Sequence, residues 1–201
     1  DRRREVEVRS TALIGRVGVV TNGLVDSADL SAEGLVALVD GEETGRFTRL
    51  VLKLGNLSEL VTTEAKSVQL EVSNLILPQL RTSPLGSRLE AIALDAEVSG
   101  IIAGHTPQQA MKIWRDSSGR AVINNLRATW GQLAVAANGV ASVDEALQPV
   151  IKLDAKATGL PETVDALVAR GYLKSGAATA VKFALTVLGS RSASGPRGAI
   201  E

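Results

Sequence analysis

The chain has 201 residues, with 22 basic side chains balancing 22 acidic ones, no cysteine and only 2% aromatic residues. A hydrophobic share of 45% belongs to a folded chain rather than a disordered one, and the length allows a sizeable core. The neutral balance removes the electrostatic basis for nucleic-acid binding. The missing cysteines exclude disulfides, thiolate metal sites and a cysteine nucleophile.

The first residues, Asp1-Arg2-Arg3-Arg4, have no apolar run behind them and do not read as a signal peptide. The expectation is that an export signal or membrane anchor lies in a missing N-terminal segment. Strand-like alternation follows. Val6 and Val8 alternate with Glu5, Glu7 and Arg9, and residues 12–20 and 34–39 are further candidates. Leu50, Leu52 and Leu54 alternate with Arg49, Val51 and Lys53; Val68, Leu70 and Val72 alternate with Gln69, Glu71 and Ser73. Residues 87–98, 119–130 and 132–143 follow, the first with a phase change between Ala91 and Ile92 that predicts a bulge. The cleanest case is Ile151, Leu153, Ala155 and Ala157 against Lys152, Asp154, Lys156 and Thr158. One apolar side and one polar side per strand is the pattern of antiparallel sheet. Thr21-Asn22-Gly23, Asp40-Gly41, Ser118-Gly119 and Asn138-Gly139 supply turn chemistry.

Three helices interrupt the strands, at about 106–118, 161–170 and 175–189. Thr106-Pro107-Gln108-Gln109 is a capping box with Pro at the first helical position. The second starts near Pro161-Glu162 and stops at Arg170-Gly171; the third starts at Ser175 and ends before Gly189. The last two, separated by Tyr172-Leu173-Lys174, predict a C-terminal helical hairpin. The fold class is therefore mainly β (α+β), with the helices as cover for a sheet. Residues 1–190 form one domain, and 191–201 are a loop or truncated continuation.

Chemistry is scarce. His105 is the only histidine and has no legible nucleophile or orienting partner. Asp40-Gly41-Glu42-Glu43 lacks the alternating ligands of a calcium loop, and Gly15-Arg16-Val17-Gly18 precedes no helix and cradles no phosphate. Asn124-Asn125 suits a strand end better than a sugar site. No catalytic residue, metal site or cofactor is assigned, and no enzyme is expected.

An ordered set of Trp, Gly, Asp and Pro positions is more distinctive. It runs Ile113-Trp114-Arg115-Asp116-Ser117-Ser118-Gly119, Leu126-Arg127-Ala128-Thr129-Trp130-Gly131, Asn138-Gly139-Val140, Val143-Asp144-Glu145-Ala146-Leu147-Gln148-Pro149 and Thr158-Gly159-Leu160. With Ser73-Asn74-Leu75-Ile76-Leu77-Pro78 and Leu85-Gly86, it resembles the bacterial envelope family called domain of unknown function 2125 (DUF2125), over roughly residues 45–190. That family in turn resembles the AsmA-like group. The resemblance implies a strongly curved antiparallel sheet with helices at one end, an apolar inner groove, and a place in the periplasm or anchored to the inner membrane facing it. The expected role is non-enzymatic binding or conveyance of a lipid-like ligand along an apolar sheet face. Its candidate lining is Trp130, Leu133, Val135, Ile151 and Leu153. The alternative is a scaffold module that engages a protein partner in envelope assembly.

Overall fold

The computed structural model describes residues 5–21, 25–57, 64–174 and 176–179. The described strands form one antiparallel sheet. They are β1 (Val6–Arg9), β2 (Ala12–Val19), β3 (Val25–Val39), β4 (Glu42–Gly55), β5 (Lys66–Ile76), β6 (Arg88–Ser99), β7 (Arg120–Trp130), β8 (Leu133–Val143) and β9 (Pro149–Thr158). From β3 to β9 the spatial order is the chain order, and β1 and β2 both pair with β3. The sheet is open: the outer sides of β1/β2 and of β9 pair with no described strand.

β1 and β2 lie end to end along β3, with the break at Ser10-Thr11. Thr11 donates from both its backbone N–H and its Oγ1 to the carbonyl of Glu33, at 3.0 and 2.8 Å. Gly34 takes φ +56° beside it, where a Cβ would meet Thr11 Oγ1 at 2.7 Å. β3 and β4 turn at Asp40 and Gly41, both at positive φ, as a two-residue hairpin requires.

Several expectations need correction. The strand expected at 34–39 begins at Val25; its first half alternates Ala28, Leu30 and Ala32 with Asp and Ser, too small a contrast to stand out. Asn138-Gly139 lies inside β8 rather than at a turn, because Gly139 gives room to Leu153 opposite. A Cβ there would fall 3.0 Å from Leu153 Cδ2. The register of β6 is unbroken through Ala91 and Ile92 against both neighbours. The bulge is in β7, where Asn124 and Asn125 together face Asn138.

Helix α1 (Pro107–Asp116) connects β6 to β7, and α2 (Leu160–Ala169) follows β9. β6 and β9 run in opposite directions, three antiparallel steps apart, so the two helices sit at opposite ends of the sheet rather than at one end. The Thr106 cap forms as expected, Oγ1 accepting from the Gln109 N–H at 3.2 Å, while the Gln109 side chain accepts from the His105 N–H at 3.1 Å, one residue before the cap of a regular capping box. Trp114 fixes the helix to the strand ends by donating from Nε1 to the Ser99 carbonyl at 2.7 Å. At the other end Arg170 and Tyr172 donate to the carbonyls of Ser83 and Thr82, at 3.3 and 2.9 Å. The expected third helix is seen as Gly176–Thr179, and the rest of it lies outside the described residues.

Gly119 tests the α1 anchor. A Cβ at Gly119 would overlap the Trp114 ring and its backbone carbonyl. Gly119→Ala should therefore destabilise by about 1–3 kcal/mol, the usual cost of overpacking, and lower the midpoint of a thermal melt by several degrees.

Candidate functional site: the apolar side of the sheet

Directly paired residues in an antiparallel sheet share a side, so the register decides what each side is made of. One row across the sheet reads Leu13, Ala32, Leu50, Val72, Ile92, Ala128, Val135 and Ala157. The next reads Gly15, Leu30, Leu52, Leu70, Leu94, Leu126, Ala137 and Ala155, and the third Val17, Ala28, Leu54, Val68, Ala96, Ile123, Gly139 and Leu153. No charged or polar side chain interrupts these three rows. With strands ~4.8 Å apart, eight strands make an apolar band about 34 Å long.

The bulge in β7 makes the band continuous. Ile123 and Leu126 are three residues apart and would face opposite ways in a regular strand. The extra residue brings both to the apolar side and turns the asparagines away. On the reverse side a polar row runs Arg16, Asp29, Lys53, Gln69, Asp95 and Asn125, continued beyond the bulge by Asn138 and Asp154. Asn124, Asn125, Asn138, Asp154 and Lys156 there line a shallow cavity of about 440 Å³.

The apolar side is exposed to solvent at the two edges of the sheet and half-buried to buried in between. Leu13 is 62% exposed, Val17 61%, Ile151 56% and Leu153 42%. The buried apolar residues among those described are Ala32, Val72, Ala96, Ala137, Val164 and Ala178, none larger than valine. Among the described residues, α1 and α2 leave the two edges of this side uncovered. Lys66 is buried where the band ends beside Val98, and its Nζ donates to the Glu64 carbonyl at 2.8 Å.

All five expected lining residues fall on this side. Trp130 pairs with Leu133 at the α2 end, Val135 with Ala157, Ile151 with Ala141, and Leu153 with Gly139. Trp130 is held in place by its Nε1, which donates to the Gly86 carbonyl at 3.0 Å. The residues that sequence reading did not assign to the lining are the central ones, Leu52, Leu70, Leu94 and Leu126. Their alternation was visible, but which strands share a side depends on register.

The remaining polar candidates gather no chemistry. His105 is exposed, and among the described residues no three His, Cys, Asp or Glu side chains are grouped to hold a metal. Glu7 is gripped by Arg9 through two hydrogen bonds of 2.7 and 3.0 Å, which hold its carboxyl below the usual range. Among the described residues no helix is long and apolar enough to cross a membrane.

Two acidic substitutions separate open from closed positions. Leu153→Asp leaves a carboxylate that stays hydrated, and should fold at a cost near ~1 kcal/mol. Val72→Asp buries its charge without a partner and should cost several kcal/mol, enough to unfold much of the protein. Denaturant titration of both reads the difference.

The family described as "Uncharacterized protein conserved in bacteria (DUF2125)" matches residues 3–201, and the chain belongs to it. The match extends beyond the stretch of 45–190 on which the resemblance was read. No curated protein and no solved structure matches the chain.

Proposed function

We propose that this member of the DUF2125 family is a non-enzymatic domain of the bacterial cell envelope that binds or conveys a lipid-like molecule along the apolar side of its sheet. The observation that carries the reading is the uninterrupted apolar band, which spans eight strands and is exposed to solvent at both edges. Monomeric soluble proteins rarely leave large contiguous apolar patches uncovered, and such patches mark binding surfaces. At about 34 Å the band exceeds the ~15 Å that one acyl chain spans in half of a ~30 Å bilayer core. An acyl chain lying along the rows would touch leucines from several strands. The AsmA-like resemblance supports the same reading with a curved sheet and an apolar groove, and with a place in the periplasm or at the inner membrane.

Protein purified from its bacterial host should carry lipid in native mass spectrometry and should take up a fluorescent fatty acid. Leu70→Asp, in the middle row, should fold and weaken that uptake about 10–100-fold, since one lost leucine contact is worth ~1.5–3 kcal/mol. Lipid-free protein from the host that also takes up no fatty acid would overturn the proposal.

A second reading, a module that engages a protein partner in envelope assembly, draws on the two strand edges that pair with no described strand. Crosslinking in host membranes should then capture a specific envelope protein.

A further inference from the structure

The two edges of the sheet differ in chemistry and complement one another. All residues of β9 are exposed, as is all of β2 except Gly18. An exposed edge offers unpaired N–H and C=O groups to another strand unless charge, proline or a bulge blunts it. β2 is poorly blunted. Its single charge is Arg16, while Leu13, Ile14, Val17 and Val19 are exposed on both its sides. β9 carries Lys152, Asp154 and Lys156 on one side, and Ile151 and Leu153 on the other.

From β2 to β9 the sheet crosses eight strands, each antiparallel to the last, so β2 and β9 run in opposite directions. A second copy set beside the first without being turned over therefore presents its β2 antiparallel to β9, with the two apolar sides coinciding. Keeping the sides matched leaves registers two residues apart. One of them places Arg16 opposite Asp154, Val17 opposite Leu153 and Leu13 opposite Ala157. A shift of two in either direction places Arg16 opposite Lys152 or Lys156. Opposite charges across a strand pair stabilise it and like charges destabilise it, which selects the first register.

We propose that copies of this chain associate edge to edge, β9 of one against β2 of the next, so that the sheet and its apolar band continue across the junction. A two-fold pairing of β9 with β9 would leave the more apolar β2 edge in water; the head-to-tail junction uses both edges. Such a junction does not close on itself, and short open assemblies are its product.

Sedimentation of the full 201-residue chain should show an average mass that climbs with concentration above 21.0 kDa. D154R, which leaves Arg16 facing like charge in all three registers, should weaken association about fivefold to tenfold, and R16E should disfavour the Arg16–Asp154 register, neither changing the melting curve since both side chains are exposed. An equimolar mixture of the two variants should recover association, because every junction between an R16E copy and a D154R copy joins opposite charges. Since the chain has no cysteine, V17C and L153C mixed under oxidising conditions should give a mixed disulfide dimer, which keeps the register testable if a charge variant misfolds. A 21.0 kDa species at every concentration overturns the proposal. So does a mixture of V17C and L153C that forms no mixed disulfide, the signature of a β9–β9 dimer, or a charge-variant mixture no better than D154R alone. None of these outcomes depends on lipid, so a monomeric protein that still takes up fatty acid would remove this inference and leave the binding proposal in place.

Discussion

Strand register is the constraint on which everything else in this protein depends. In most domains a thick core would hold the sheet in place from above, but here the buried apolar side chains among the described residues are alanines and valines. Cohesion therefore comes from the backbone ladders, and from rows of side chains touching their neighbours within one side of the sheet. Each cross-strand pair contributes only about 0.2–1 kcal/mol, so stability is spread thinly over many pairs. A slip of one residue anywhere would turn a whole strand's leucines to the polar side. Uniform alternation in β4, β5 and β9 makes that slip costly, and local irregularities pin it elsewhere.

The irregularities do specific work. At Ser10-Thr11 the edge strand breaks, and Thr11 satisfies the Glu33 carbonyl twice where the ladder is interrupted. At Asn124-Asn125 the extra residue reconciles a sequence whose apolar positions are out of phase with the rest of the sheet. Gly139 then accepts the Leu153 side chain against its bare backbone. In a larger residue's place, β8 and β9 would be pushed apart where the third apolar row ends.

What could be read from the chain follows from these physics. The Leu50–Leu54, Val68–Val72 and Ile151–Ala157 alternations each reveal a strand with one apolar side, because the period is a property of a single segment. The Thr106 cap is equally local. Pairing is not. Nothing in residues 119–130 says that two asparagines will be treated as one position, and the phase change at Ala91-Ile92 has no bulge beneath it because Leu89 and Ala91 face the polar side. The first half of β3 escaped notice since serine and aspartate beside alanine give little contrast. The lining was legible where one strand shows it, as at Ile151 and Leu153, and hidden where it needs four strands in register, as at Leu52, Leu70, Leu94 and Leu126. Helices at opposite ends follow from counting antiparallel steps, which needs the sheet first.

Geometry also fixes the direction in which the apolar side is bounded. The strands' ends are occupied: α1 and Trp114 stand at one, and Trp130, Gly86 and α2 at the other. The rows of leucine and valine run the other way, across the strands, and end at β2 and β9 with Val17 and Leu153 still exposed. On the proposed reading, an elongated apolar ligand lies along the rows and meets no charged side chain until it reaches an edge. The same edges carry the complementary charges Arg16 and Asp154. A junction there would lengthen the band in the one direction in which the strand ends do not bound it. Ligand length and assembly would then share a single axis, set by the hydrogen-bonding direction of the sheet.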